Sequence, residues 1–296
     1  MKDHRRRYPE FFLVLVLAAG CSANPSAAVS PSAAPARASL GVRAVGCVGM
    51  TVSNVELSVP FYRDVLFFRK TSDTVFDQTS DMSPSVPVRR VRLDLGTECI
   101  EVDEPLGGVR RPIPADSRSN DRWFQHVAIV VRDMDRAYDW LETHRVAHVS
   151  AAPQRLPVWN RNAANIRAYY FKDPDGHTLE LIWFPEDKGQ ARWHSPEGDA
   201  LFLGIDHTAI AVADTNSSLA FYVGYLGLRV AGESENWGPE QERLNNVPGA
   251  HLRITALRAA EGPGVELLEY LAPRDGRPSP PDERADDLTH WRTAMF

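Results

Sequence analysis

Three stretches of this chain open alike, and a chain that repeats one unit must fold so that its copies cover one another. The stretches are Cys47 to Asn54, His126 to Asp133 and His207 to Asp214. Each is a short apolar run, rich in β-branched residues, that ends in Asn or Asp. That pattern suits a strand feeding a helix N-cap. An aromatic residue sits seven positions past each cap: Phe61, Trp140 and Phe221. In the first and third copies it opens the matching segments Phe61 to Leu66 and Phe221 to Leu226. Pro60 fits if the first helix starts near Glu56, because first-turn amides have no helical acceptor.

Strands follow each helix. Val91, Leu93 and Leu95 alternate with Arg90, Arg92 and Asp94, a period of two. Ile166 to Phe171 runs into Asp173-Pro174-Asp175-Gly176 and out through Thr178 to Ile182, which reads as a hairpin. The closing strands align as Ile100-Glu101-Val102, Leu179-Glu180-Leu181 and Leu268-Glu269-Tyr270. Pro105 and Pro273 follow Glu101 and Glu269 at the same interval, which sets that register. The chain therefore reads as α+β, with tandem modules of one strand, one helix and about three strands.

A βαβββ unit with a Phe-Tyr helix and a Phe171 to Leu181 hairpin resembles the vicinal oxygen chelate superfamily of glyoxalase I, bleomycin-resistance proteins and extradiol dioxygenases. The resemblance covers residues 43–275, and the hairpin is its most specific part. It implies that two modules curl into one cup around a divalent metal and a substrate, with the first two modules as the pair. The division it suggests is 41–115, 116–187 and 201–275 for the modules, with a linker at 188–200. Residues 276–296 resemble the opening of a fourth module. Aligning Asp287 with Asp121 sets Arg292, not His290, opposite His126.

By the same resemblance the ligands come from the first and last strands of each module. The first pair offers Glu101, His126 and Glu180, with Cys47 as a further position. His207 and Glu269 form a second, less complete site. One imidazole and two carboxylates suit Zn, Mn, Fe, Co or Ni. The expected chemistry is that of a glyoxalase-like lyase or isomerase on a small substrate with vicinal oxygens. There Glu101 or Glu180 would move the proton. A non-catalytic binding protein of the bleomycin-resistance type is the alternative. An extradiol dioxygenase ranks below it, because that chemistry uses two His and one carboxylate.

Cys47 stands where the superfamily usually has His or Gln. A thiolate there could ligate zinc, and a neutral thiol could simply pack. If strands one and four adjoin, as the resemblance implies, Cys47 could instead pair with Cys99. Arg161, Asn162 and Asn165 precede a cup strand and read as solvated loop residues or pocket lining. His144, His148 and His177 read as surface residues. Inward residues of the third module (His207, Ala209, Ala211, Leu252 and Ile254) would lack a cover, which predicts a homodimer through that module.

The N-terminal part has a different character. Lys2, Arg5, Arg6 and Arg7 precede an apolar run from Phe11 to Ala19, far short of the roughly 20 residues a membrane span needs. Residues 1–20 read as a signal peptide. The sequence Leu17-Ala18-Ala19-Gly20-Cys21 resembles a bacterial lipobox, with Cys21 the lipidated residue. Residues 21–40 are Ala, Ser and Pro almost throughout and read as a disordered tether. The expected location is the cell envelope, with membrane contact through the lipid alone. The formal net charge of -6 and the lack of a basic stripe argue against nucleic acid as a partner.

Overall fold

The computed structural model describes residues 39–80, 83–194 and 198–296. The expected signal peptide, Cys21 and most of the expected tether lie outside them. The first module runs β1 (Val45–Thr51), α1 (Val55–Pro60), β2 (Arg69–Ser80), β3 (Ser83–Leu95) and β4 (Glu98–Pro105). The second runs β5 (Gln125–Val131), α2 (Met134–Thr143), β6 (Gln154–Arg155), β7 (Arg167–Lys172) and β8 (Thr178–Trp183). The third has β9 (Phe202–Val212), α3 (Thr215–Leu219) and β10 (Arg229–Trp237), then α4 (Pro239–Asn245), β11 (His251–Arg258) and β12 (Gly264–Ala272). A last strand, β13 (Trp291–Met295), follows. The three repeat caps form as the sequence implies. Asn54, Asp133 and Asp214 each accept a backbone amide from the first turn of their helix.

Pro60 ends α1 instead of sitting in its first turn, and a π-helical turn follows over Phe61–Val65. The third module makes the same turn over Ala220–Tyr225 without a proline. The π turn therefore does not depend on Pro60, and the second module, whose α2 is regular, lacks it.

The α+β class and the βαβββ units stand, but the modules pair differently from the expectation. One eight-stranded sheet, in the order β10-β11-β12-β9-β5-β8-β7-β6, joins the second and third modules. Its seam is the antiparallel pair β5–β9, where His126 faces Ala209 and Ala128 faces His207. The first module lies in a separate sheet, β13-β1-β4-β3-β2, with β13 antiparallel to β1. The first and second modules meet instead through their helix-covered faces. Val48, Met50, Val55 and Tyr62 share one core with Val127, Ile129, Met134 and Leu141. Alternation along β5 explains this arrangement: Val127, Ile129 and Val131 face that core, so His126, Ala128 and Val130 face the cup.

The predicted uncovered face of the third module is likewise covered from within the chain. Ala209, Ala211 and Leu252 are buried with Phe124, Ala168 and Tyr170 of the second module. The premise for a dimer through that face does not hold.

Candidate metal centre

The seam between β5 and β9 brings two histidines to the floor of the cup. β8 runs parallel to β5 with Glu180 beside Ala128, and β12 runs parallel to β9 with Glu266 beside Ala209. Each module thus contributes a first-strand His and a last-strand Glu displaced by the same register. Side chains at the seam are small (Ala128, Ala209 and Ala211), which leaves room for the larger groups to converge.

Ligand atoms of His126, Glu180 and His207 all lie within 4.8 Å of one another, and all three residues are buried. Glu180 Oε2 lies 3.1 Å from His126 Nε2 and 3.5 Å from His207 Nε2. Glu266 Oε2 is also 3.5 Å from His207 Nε2, and its side chain is the most open of the four at 21% exposure. Asp206 accepts from His207 Nδ1 at 3.0 Å and is itself held by Arg258 and Trp193. That contact puts the ring proton on Nδ1 and turns the Nε2 lone pair into the cup, as carboxylate–histidine pairs do at metal sites.

The electrostatics are those of a site that wants a cation. Burial opposes ionisation of Glu180, but His126 and His207 outweigh it and hold its carboxyl down at about 2. Burial also disfavours a charged His207; the carboxylates of Glu266, Asp206 and Glu180 outweigh it and push the imidazole well above its ordinary value. Burial, helped by Glu180, raises Glu266 against the opposing pull of His207. Both ring nitrogens of His126 and Nε2 of His207 are buried without a hydrogen bond of acceptable geometry. Orphaned imidazole nitrogens beside two carboxylates fit a divalent ion that takes nitrogen and oxygen ligands.

The predicted residues separate into three groups. His126, Glu180 and His207 come together. Glu101 and Cys47 lie in the other sheet, where Glu101 accepts from Arg292 Nη2 at 2.5 Å and Cys47 is disulfide-bonded to Cys99. Arg292 faces Gly49 in register, as His207 faces Ala128, so a guanidinium occupies the ligand position of that half-cup. Glu269 points away from the cup. Its Oε2 accepts the Thr215 amide at 3.0 Å at the start of α3. The fourth residue of the cup is Glu266, which the proline-based alignment passed over. An offset of three residues along a strand reverses the face.

Other assignments change too. His177 is fully buried rather than exposed, with Nδ1 2.9 Å from Asp173 Oδ2 and Nε2 donating to Leu288 O. Asn162 donates to Glu233 O across the rim of the cup, while Arg161 is exposed.

A family model for the glyoxalase/bleomycin resistance protein/dioxygenase superfamily matches residues 44–181 and 204–292. No curated protein matches the chain in sequence. Among solved structures it is similar to glyoxalase I from Zea mays, at 13% identity and a TM-score of 0.52, over 86% of this chain and 72% of that one. A variant of the maize enzyme gives 14% identity and a TM-score of 0.51 over 86% and 73%. Identities this low speak for the fold alone. The family match spans most of the chain and takes in the strands that carry His126, Glu180, His207 and Glu266. The chain belongs to the glyoxalase/bleomycin resistance protein/dioxygenase superfamily.

Proposed function

We propose that the protein is a metal-dependent lyase or isomerase of the glyoxalase type, acting on a small substrate with vicinal oxygens in the cup between its second and third modules. Members of the superfamily usually bind a divalent metal and small-molecule ligands. One observation carries the proposal: two imidazoles and a carboxylate converge within 4.8 Å in a buried site, with three ring nitrogens that make no well-formed hydrogen bond among the described residues. His126, Glu180, His207 and Glu266 would hold the ion. Bound there, a divalent cation supplies Lewis acidity toward adjacent substrate oxygens.

The chain's own groups divide the remaining work. Glu180, kept ionised by both histidines, offsets cation charge. Glu266, more open and with a raised affinity for protons, is the group to take and return a substrate proton at its carboxylate oxygen.

Metal analysis of the purified protein tests this. About one equivalent of divalent ion is expected, lost in His126→Ala and Glu180→Ala. A wild-type protein that binds no divalent ion would refute the proposal. His126, Glu180 and His207 alone also make the two-His, one-carboxylate set of non-haem iron oxygenases, which favours an extradiol dioxygenase as the second reading. Iron-dependent oxygen uptake with a catechol, undiminished in Glu266→Gln, would select it.

We further propose that the protein is exported and anchored through Cys21. The Cys47–Cys99 disulfide supports this, since such bonds persist in oxidising compartments. Membrane partitioning that survives Cys21→Ser would overturn the anchor.

A further inference from the structure

The cup is closed along its rim. Asn160 Nδ2 donates to Asn236 Oδ1 at 2.6 Å, and Trp159 stacks on Trp237 with centroids 4.4 Å apart. α4 lies against the interior, with Leu244 packed among Tyr170, Leu252 and Leu268. A cleft of about 230 Å³, lined by none of the four centre residues, borders Phe124 and Gln125, the two residues before His126. Two of its lining residues adjoin the centre, Thr178 as the strand partner of His126 and Phe124 with its ring 5.7 Å from the His126 ring, while Lys172 lies one strand further out as the partner of Thr178.

The lining has one sign of charge. It includes Arg118 and Lys172 and no Asp or Glu. Arg118 is committed to Asp275 at 2.9 Å, whereas Lys172 has no acidic partner among the described residues. Asn245 is buried behind the lining, where its side chain accepts from Gln241 and lies against Tyr170. Trp123 and Trp291 also line it, with Arg277 over the Trp123 ring at 4.7 Å. An unpaired lysine beside two indoles suits a small organic anion with a flat body. The volume lies below the roughly 300–1,000 Å³ of pockets for drug-sized ligands, so the ligand is smaller than those.

We propose that this cleft binds a small aromatic carboxylate, with Lys172 holding the carboxylate and the two tryptophans flanking the ring. Taking that ligand as the substrate of the metal centre rests on the function proposed above. The affinity of the cleft for it does not.

Benzoate and the neutral benzamide, titrated into metal-loaded and chelator-treated protein, provide the test. Tryptophan fluorescence is the readout, since Trp123 and Trp291 line the cleft. Benzoate is expected to bind at least about tenfold more tightly than benzamide with or without metal, a charge-assisted bond being worth that much. Lys172→Ala should remove this preference at unchanged melting temperature, and Lys172→Arg should restore it. Equal affinities for the two probes, no saturable benzoate signal, or a preference that survives Lys172→Ala would overturn the proposal. A protein that takes up a divalent ion in full but has no benzoate site refutes the cleft alone; one that binds benzoate but takes up no divalent ion refutes the metal centre alone.

Discussion

Four first-strand positions that the repeat makes equivalent hold Cys47, His126, His207 and Arg292, and their different chemistry decides which half of the molecule can take a cation. Around Arg292 the guanidinium also contacts Asp103 at 3.1 Å, so a fixed positive charge already satisfies the carboxylates. Gly49 makes this possible: a Cβ there would meet the Arg292 guanidinium at 2.5 Å. Gly49→Ala should therefore destabilise the protein by about 1–3 kcal/mol in denaturant unfolding, the usual cost of overpacking, while leaving metal content unchanged. Glu266 and Glu269 give the complementary contrast. Glu266→Ala should weaken metal binding with little change in the metal-free melting temperature. Glu269→Ala should cost about 1–3 kcal/mol through the abandoned Thr215 amide and leave metal stoichiometry intact. The histidines and Glu180 were legible because the repeat and the hairpin fix their register. Glu266 was not, because β12 carries three more residues between the inward Glu and its proline than β4 does.

Caps, hairpins and alternating strands were readable at the scale of elements because each rests on a local rule. What those elements pack against was not. The Asp173 hairpin turn is a case: read locally it is a surface turn, yet Tyr62 of the first module donates to Asp173 Oδ2 at 2.9 Å. His177 then links that carboxylate to the backbone before β13. Burial lowers the affinity of His177 for its proton, but Asp173 outweighs it and the net shift is upward. Burial works against the Asp173 charge, and His177 and Tyr62 outweigh it to lower the carboxyl. The signs follow from linkage. The His177 contribution is complete below its unfolded value near 6.5 and is lost as pH rises through the higher folded value. The Asp173 contribution is present above about 3.9 and fades as acid carries the pH through the lower folded value. The metal-free protein should thus lose thermal stability on the alkaline side of neutrality, and His177→Gln should flatten that part of the profile. The substitution should also cost about 3 kcal/mol near neutral pH, because it removes the charged partner of a buried carboxylate that keeps only its neutral donors.

Across the whole molecule three modules and the strand β13 share two sheets. Asp121 accepts the Arg118 amide and pairs with Arg277 at 2.7 Å; Asp287 accepts the Arg284 amide and pairs with Arg111 at 2.5 Å. These twin clamps tie the segment after the first module to the one before β13, and the segment after the third module to the one before β5. Such reciprocity puts the second module against the third and β13 against the first. Module-by-module comparison of the sequence reveals the units but not this exchange, because each clamp joins residues more than 150 positions apart. The consequence is a division between two sheets: the disulfide lies in one and the candidate metal ligands in the other. Opening the Cys47–Cys99 bond, which spans 52 residues, should remove about 4 kcal/mol of stability by freeing the unfolded chain. It should leave the metal content of the folded protein unchanged, since neither cysteine touches His126, Glu180, His207 or Glu266. Unfolding curves and metal analysis on oxidised and gently reduced samples check both parts. Metal released at reductant concentrations that leave the protein folded would show that the two sheets are coupled more tightly than their separate ligands and hydrogen-bond ladders imply.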